Sequence, residues 1–294
     1  MSQEDETEKT QTTGLKRKTI DKYYTSKGVV MDCCNLIKKH ITISDDDICI
    51  EPSAGNGSFI PSIKSLFKNY HFYDIEPENS EIQKQDYLQL DYQENILNKY
   101  NNPEKNQYKK IHILGNPPFG RQSTLAIKFI KISAKFSDSI SFILPRSFKK
   151  DSLKKHFPLY FHLICEYDLP KDSFLVDDKK HNVPCVFQIW VKKDEKRYVP
   201  KKLVPDKYKF VKKDVDHDIS FRRVGVYAGE VSQETADKSP QSHYFIKFND
   251  DIFTEELFKK MQNIKYKKSE DTVGPKSISK QELIKEFSVV LKGD

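Results

Sequence analysis

Cysteine is scarce in this chain, and long apolar runs are missing from it. The five cysteines form an odd number without a C-x-x-C pair, which argues against a structural zinc site and favours reduced thiols in an intracellular protein. No run reaches the roughly 18 apolar residues of a membrane-spanning helix, so we expect no membrane span. The first residues are acidic and polar, unlike a signal peptide, so we expect a protein of the cytoplasm or nucleus. From the cysteine pattern we also expect no bound metal.

Charge is plentiful but unevenly placed. The chain of 294 residues, long enough for one large domain or a domain plus a smaller one, carries a formal net charge of +7. Residues 192–213 contain ten Lys or Arg and three Asp or Glu, so their local excess equals that of the whole chain. Such a basic segment suits a polyanion such as nucleic acid, and the alternative is a solvated linker rich in lysine.

The most informative stretch is residues 113–120, where an apolar run ends in Asn116-Pro117-Pro118-Phe119. Two prolines stop a strand or helix and fix a rigid turn. The Asn116 side-chain oxygen and the Pro117 carbonyl can then point into one small space, with the Phe119 ring ready to stack nearby. Two acceptors and a ring suit a planar group with an amino function, namely adenine, cytosine or a carboxamide. The alternative is a proline turn that only closes a strand.

A second turn follows the short apolar strand at residues 48–50. Its sequence runs Glu51-Pro52-Ser53-Ala54-Gly55-Asn56-Gly57, with two glycines where backbone can approach a ligand closely. About twenty residues later Asp74 and Ile75 end the next strand, and an acid there is well placed to accept hydrogen bonds from ribose hydroxyls. Asp74 is preferred over Glu76 for this role. Asp86 and Tyr87 follow at the expected end of a third strand, where Asp86 is alternatively a turn residue.

These segments resemble, in order, the motifs of S-adenosylmethionine-dependent amino-methyltransferases, above all N6-adenine enzymes of the γ arrangement. The resemblance covers about residues 20–192. It implies that Tyr24 and Thr25 contact the cofactor and that Glu51 lies near its methionine ammonium group. It also places residues 54–57 near its methionine and ribose, with Asp86 on its adenine amine and Tyr87 or Leu88 on the ring. S-adenosylmethionine is thus the expected cofactor.

Strands and helices alternate over residues 25–191, which predicts a mainly parallel α/β sheet with its sites at the strand carboxyl ends. The resemblance implies a Rossmann-like methyltransferase fold. We expect a disordered polar tail at 1–18, the methyltransferase domain at 19–198, and a small α+β appendage at 199–294 for target recognition or an accessory role. Helices are predicted after Ser26 and from Arg121 onward. A strand is predicted at residues 219–227, Thr254 is predicted to cap a further helix, and Ser279 with Glu282 to form a capping box.

The implied reaction is methyl transfer to the N6 of adenine, with Asn116 and the Pro117 carbonyl accepting its two hydrogens and Phe119 stacking on the base. Trp190, with Phe187, is a candidate for a second stacking face, although core packing is favoured for both. The remaining substrate-binding candidates are basic: Arg121, Arg146, Lys201 and Lys202. If residues 192–213 are only a solvated linker, the substrate would instead be held by a basic surface of the catalytic domain, formed by Arg121, Arg146, Lys149 and Lys150.

The alternatives concern the substrate. DNA is favoured, but enzymes that methylate adenosine in structured RNA or mRNA caps share the Asn-Pro-Pro-Phe motif. A protein glutamine methyltransferase is less favoured, because the basic segment and the Phe in place of Tyr argue against it. A catalytically silent nucleic-acid-binding subunit is argued against by the intact Asn116, Gly55, Gly57, Asp74 and Asp86.

Overall fold

The computed structural model describes residues 23–100, 109–176, 179–249 and 252–292, so the predicted tail at 1–18 lies outside the described residues. The described helices are α1 (Lys27–His40), α2 (Ile60–Leu66), α3 (Asn98–Tyr100), α4 (Thr124–Ser133), α5 (Asp151–Lys154), α6 (Glu255–Gln262) and α7 (Lys280–Lys292). The described strands are β1 (Tyr24–Thr25), β2 (Ile48–Glu51), β3 (Asn69–Asp74), β4 (Gln83–Lys84), β5 (Ile111–Gly115), β6 (Ser139–Pro145), β7 (Phe161–Asp168), β8 (Phe174–Val176), β9 (Lys179–His181), β10 (Cys185–Lys192), β11 (Tyr208–Val211), β12 (Ile219–Arg222), β13 (Val231–Ser232) and β14 (His243–Phe248).

A seven-stranded sheet forms the larger part of the molecule, in the order β4-β3-β2-β5-β6-β10-β7. Strands β4, β3, β2, β5 and β6 pair in parallel, whereas β10 is antiparallel to both of its neighbours. The predicted α/β fold with a mainly parallel sheet is therefore confirmed. The parallel strands β2, β3, β5 and β6 direct their carboxyl ends to one edge, and the glycine turn, Asp74 and Asn116 all lie at that edge.

Both faces of this sheet are covered, which is why its central strands are buried along their length and mostly apolar. Every residue of β2, β5 and β6 is buried. Helices α1 and α2 cover one face through residues such as Val30, Ile37 and Ile63. Helix α4 covers the other through Ala126, Phe129 and Ile130, spaced three and four apart so that they share one side of the helix. The sheet is thus a rigid base for the residues at its carboxyl edge.

Three predicted elements differ from the structure. The third strand is only Gln83–Lys84, so Asp86 does not end it but opens a 3₁₀ turn two residues later. Helix α4 begins at Thr124 rather than at Arg121, because residues 122 and 123 have φ of 53° and 62°, a left-handed conformation that cannot continue an α-helix. The strand expected at residues 219–227 ends at Arg222, ahead of Gly225 with its φ of 104°.

The C-terminal region is a four-stranded antiparallel sheet, β11-β14-β12-β13, packed against α6 and α7. Its core contains Phe221, Ile246, Met261, Leu283 and Phe287, each fully buried. This agrees with the expected α+β appendage, while the boundary near residue 199 stays a prediction.

Ion pairs connect this region to the segment that follows β6. Lys150 Nζ donates to the Ser277 carbonyl oxygen at 2.7 Å and lies 3.7 Å from a carboxylate oxygen of Glu282. Lys149 Nζ lies 3.8 Å from Asp271. The start of α7 therefore sits against the carboxyl edge of the larger sheet, beside the strand that precedes Asn116.

The predicted capping box at the start of α7 is present. Ser279 Oγ accepts from the Glu282 amide at 3.2 Å, and Glu282 Oε2 accepts from the Ser279 amide at 2.8 Å. Ser279→Ala should lower the free energy of unfolding by about 0.5–2 kcal/mol, because a helix amide loses its acceptor. Ser288→Ala is the control in the same helix: its hydroxyl only donates to the Ile284 carbonyl oxygen, so we expect little change or a slight gain. Urea unfolding of both variants measures the difference, and equal effects would contradict the assignment.

Candidate active site

A cavity of about 300 Å³ opens at the carboxyl edge of the seven-stranded sheet. It brings together every predicted cofactor-binding residue except Gly57. These residues are Tyr24, Thr25, Glu51, Pro52, Ala54, Gly55, Asp74, Ile75, Asp86, Tyr87 and Asn116. They come from β1, the ends of β2 and β3, the turn after β4, and the turn after β5, so widely separated parts of the chain meet in one site.

The glycine turn is held in shape by hydrogen bonds that its backbone amides donate. The Gly55 amide donates to Asp74 Oδ2 at 2.8 Å, and the Gly57 amide donates to the Ala54 carbonyl oxygen at 2.7 Å. Gly57 has a φ of 85°, and a Cβ atom there would lie 2.8 Å from Ile60 Cδ1. Gly57 therefore closes the turn and packs against α2 without lining the cavity, and any larger residue would be strained twice over.

The two acids after β3 and β4 also make backbone contacts. Asp74 Oδ1 accepts from the Glu76 amide at 2.8 Å, so both Asp74 oxygens hold the walls of the cavity. Asp86 Oδ1 accepts from the Leu88 amide at 2.9 Å. Each carboxylate oxygen has two lone pairs, so these contacts leave acceptor capacity toward the cavity. The Tyr87 ring is buried, and its hydroxyl bonds to Ser133 Oγ at 2.9 Å, away from solvent.

Glu51 is the most unusual group of the site. Its side chain is 2% exposed, and within the described part of the chain its Oε2 atom has no hydrogen-bond partner. Burial, and secondarily the nearby Asp74 carboxylate, raises the pKa of Glu51 well above its usual range. Gly115 makes room for this side chain, because a Cβ atom there would lie 3.3 Å from Glu51 Cγ. A buried carboxylate without a partner fits a cationic ligand group.

The side chain of Asn116 is fixed by the N-terminal strand. Asn116 Nδ2 donates to the Tyr23 carbonyl oxygen at 3.0 Å and to Thr25 Oγ1 at 3.3 Å. Its main-chain oxygen accepts from Ser53 Oγ at 3.2 Å. Because both donor contacts use the amide nitrogen, the side-chain oxygen is left as an acceptor, and no described residue donates to it. The strand β1 is in turn paired with β8, Tyr24 opposite Leu175.

The predicted substrate-binding residues are not gathered in one place. Phe119 is half-buried against the core beneath α1, and Arg121 is exposed just beyond it. Arg146 Nε lies 3.5 Å from Asp168, an acid that also pairs with Lys149 at 2.8 Å, so the charge of Arg146 is compensated in part. Lys201 and Lys202 are exposed at the start of the C-terminal region.

The role of Trp190 as a stacking face is corrected by the structure. Trp190 is 1% exposed, stacks on Phe157 with ring centroids 4.0 Å apart, and donates its indole N–H to Gln188. Phe187 is fully buried as well. Both side chains belong to the core of the sheet, the packing that was favoured for them, and neither faces the cavity.

Several cavity residues were not singled out from the sequence. They are Ser53, Ser58, Phe59, Glu78, Pro118, Leu125 and Phe129. Tyr23, Asn56, Glu76 and Leu88 line the cavity as well. Glu78 is the most notable, since its Oε1 accepts from the Tyr24 hydroxyl at 2.5 Å and thereby joins β1 to the segment after β3. Acids at alternate positions directly after Asp74 were the available signal, but the sequence does not show which way each points.

The described residues contain neither a candidate membrane span nor a candidate metal cluster. No helix among them is long and apolar enough to cross a membrane. No cluster of three or more His, Cys, Asp or Glu side chains in those ranges could hold a metal ion.

Comparison with known proteins gives only distant structural likeness. No family model and no curated protein matches the chain. The type I restriction-modification system methyltransferase subunit from Streptococcus thermophilus matches at 13% identity and a TM-score of 0.44, over 60% of this chain and 46% of that one. TrmN from Thermus thermophilus matches at 13% identity and a TM-score of 0.37, over 57% of this chain and 49% of that one. The 23S rRNA methyltransferase ErmE matches at 11% identity and a TM-score of 0.40, over 59% of this chain and 71% of that one. Because these TM-scores and identities are low, the likenesses do not establish an activity for this chain.

The buried carboxyl of Glu51 should make stability depend on pH. Its pKa is raised in the folded state, so its proton is lost first from the unfolded chain as pH rises, and stability falls from the unfolded pKa up to the folded one. Glu51→Gln should therefore be more stable than the parent at neutral pH, with a gap that closes toward about pH 4, near the unfolded pKa. Urea unfolding across this range measures the gap.

The control is Glu81→Gln, since Glu81 is exposed and paired with Lys64. We expect its effect to stay within about 0.5 kcal/mol, as is usual for surface substitutions. A Glu51→Gln variant that is less stable than the parent at neutral pH would contradict the assignment.

Proposed function

We propose that this chain transfers a methyl group from S-adenosylmethionine to the N6 amino group of adenine in nucleic acid, with DNA favoured. The observation that carries the proposal is the position of Asn116. Its amide lies at the cavity with the nitrogen fixed by Tyr23 and Thr25, which leaves the oxygen as an acceptor. An acceptor in that place, followed by Pro117, suits an exocyclic amine that must be held by its hydrogens.

The cavity fits the proposed cofactor in its donor and acceptor chemistry. The unpartnered Oε2 of Glu51 would receive the methionine ammonium group, which would also relieve the cost of burying that carboxylate. Asp74 would accept from the ribose hydroxyls, and Asp86 from the adenine amine. Tyr24, Pro52, Ala54, Gly55, Ile75 and Tyr87 would form the remaining walls.

The residues of the chain would act mainly by position and charge. When bound, S-adenosylmethionine supplies an electrophilic methyl group, whose bond to sulfur breaks with its electron pair as the new N–C bond forms. Asn116 Oδ1 and the Pro117 carbonyl would accept the two N6 hydrogens, turn the nitrogen lone pair toward the methyl group and stabilise the positive charge that develops on nitrogen. One of these protons then leaves to water. Phe119 would stack on the base, and a duplex adenine would first be extruded.

Two other substrates share this chemistry. Adenosine in RNA presents the same amino group, and a protein glutamine presents a carboxamide of similar shape. The region at 199–294 favours nucleic acid, because its basic start includes Lys201 and Lys202, both exposed and, among described residues, without an ion pair. We propose this region as the part that recognises the target. A nucleic-acid-binding subunit without activity is disfavoured by the ordered Asn116 site.

Asn116→Ala separates cofactor binding from chemistry. The variant should keep its affinity for S-adenosylmethionine and lose at least about 100-fold in rate, as expected when a preorganised acceptor is deleted. Asn69→Ala is the control at the opposite edge of the same sheet, where Asn69 Nδ2 donates to the Asp45 carbonyl oxygen. Calorimetry measures cofactor affinity, and mass spectrometry of nucleosides after incubation with mixed DNA and RNA measures product.

The product identity decides the substrate. N6-methyldeoxyadenosine would support DNA, and N6-methyladenosine would support the RNA alternative. Methylated cytosine, or methylglutamine on an added protein extract, would overturn the adenine assignment. An Asn116→Ala variant with near-normal turnover would show that the turn is only structural.

Asp86→Asn tests the adenine end of the cofactor site. The asparagine oxygen can still accept from the Leu88 amide, but its amide group would face the cofactor amine with a donor in place of an acceptor. We expect cofactor binding to weaken by about 1.5–3 kcal/mol, the range for a hydrogen bond to a charged group. Asp91→Asn is the control, since Asp91 accepts from the Gln93 and Glu94 amides outside the cavity. Equal affinities of the two variants in calorimetry would remove Asp86 from the site.

A further inference from the structure

A second depression lies on the C-terminal region, away from the cavity. This groove of about 610 Å³ runs between the ends of β11 and β14 and the start of α7. The side chains that matter for its chemistry are Phe210, Lys212, Lys213, Tyr244 and Lys280. We call it the sheet-end groove. It is open to solvent along its length and combines aromatic rings with basic side chains.

The aromatic part of the groove is formed by two half-buried rings. The centroids of Phe210 and Tyr244 are 5.5 Å apart at an interplanar angle of 72°. Lys280 Nζ lies 4.4 Å from the Phe210 centroid and 5.5 Å from the Tyr244 centroid. The Arg223 guanidinium lies 5.6 Å from the Tyr244 centroid. Lys280 lies over both rings and Arg223 over Tyr244, so a flat group would stack on the parts of these half-buried rings that the cations leave open.

The positive charges that line the groove outnumber its single carboxylate. Lys212, Lys213 and Lys280 form no ion pair with any described residue, and the carboxylate that lines the groove is Asp214. Lys213 Nζ does donate to the Ala236 carbonyl oxygen, which holds it in place without neutralising it. The lysines after β6 differ, since Lys149 and Lys150 both pair with acids. The sheet-end groove thus keeps its positive charge for a partner.

We infer that the sheet-end groove binds single-stranded nucleic acid, an inference that rests on the proposed function. Unpaired bases can stack on Phe210 and Tyr244, while Lys212, Lys213 and Lys280 contact the phosphates between them. A base inside a duplex keeps its faces covered by its neighbours, so this pairing of rings with lysines favours single strands. DNA and RNA share the chemistry used here, and the experiment separates them.

The position of the groove gives it a role in the proposed reaction. Lys280 is the first residue of α7, and Glu282 of the same turn lies 3.7 Å from Lys150. Lys150 follows β6, which pairs with β5, the strand that leads to Asn116. A strand held in the groove is therefore anchored on the part of the C-terminal region that contacts the active-site edge. The groove would hold the nucleotides that flank a target base.

The test is binding of fluorescein-labelled oligonucleotides, measured by anisotropy at several salt concentrations in the presence of S-adenosylmethionine. The probes are a mixed-sequence 12-mer of single-stranded DNA, the same sequence as RNA, and the DNA duplex. Replacing Lys212, Lys213 and Lys280 by Gln should lower single-strand affinity and flatten the slope of log affinity against log salt by up to about 2, near 0.7 for each phosphate contact. Lys259→Gln with Lys285→Gln is the control, since both lysines are exposed on the same region outside the groove.

A second variant tests the rings independently of charge. Phe210→Leu should weaken single-strand binding by about 5-fold or more while leaving the salt slope unchanged, because stacking and not charge is lost. Phe253→Leu, a half-buried ring elsewhere in the region, is its control. Thermal unfolding of each variant confirms that the region remains folded.

The outcomes separate the inference from the proposed function. If the parent binds oligonucleotides and the groove variants bind as the parent does, the groove is not the binding surface and the proposed function stands. If the variants weaken duplex binding as much as single-strand binding, the preference for single strands is wrong. If the parent binds no nucleic acid while it binds S-adenosylmethionine, the nucleic-acid substrate fails together with the groove.

Discussion

The hydrogen bonds from the Asn116 amide nitrogen to Tyr23 and Thr25 are the contacts on which the site depends most. They join a turn after β5 to a strand that precedes α1, and they determine which atom of the amide is left over. An amide group can present either a donor or an acceptor to a ligand, and these two contacts use the donor. The pairing of β1 with β8 extends the dependence to residues 174–176, far along the chain. Because Tyr24 and Thr25 also line the cavity, loss of that pairing would displace part of the cavity wall as well as free the amide to rotate.

The same edge of the sheet holds the buried carboxyl group of Glu51, whose Oε2 atom has no hydrogen-bond partner among the described residues. Glu51 is buried at the end of a fully buried strand, and a Cβ atom at the adjacent Gly115 would crowd its side chain at 3.3 Å from Cγ. A carboxyl group in such surroundings destabilises the folded protein unless a cation or donor compensates it. Fold stability alone would favour an apolar residue or an amide at this position. The arrangement suits a binding site, because a cationic ligand group would relieve the free-energy cost of burying the Glu51 carboxylate.

The sequence predicts the sheet and the membership of the cavity well, because both follow from local patterns. Apolar strands that end in Gly, Asp or Asn-Pro mark the carboxyl edge, and parallel pairing brings such ends together. What it does not predict depends on contacts between distant residues. The bond from Asn116 to Thr25 spans 91 positions, and that from Tyr24 to Glu78 spans 54. Trp190 is wrongly predicted for the same reason. The sequence shows an aromatic residue near the end of a strand, but it does not show that Phe157, 33 positions earlier, stacks on the face of its ring.

The basic residues of this protein differ in whether they are paired with acids, and their density along the sequence does not show this. The segment after β6 is rich in basic residues, yet Asp168, Asp271 and Glu282 neutralise much of it and use it to attach the C-terminal region. Lysines that hold two parts of a protein together cannot also release counterions from a phosphate backbone without breaking those pairs. Among the described residues, lysines without an ion pair include Lys201, Lys202, Lys212, Lys213 and Lys280, which lie in the sheet-end groove and in the segment before it. For the proposed nucleic-acid substrate, these lysines are therefore better placed to bind phosphates than Lys149 and Lys150, which already pair with acids.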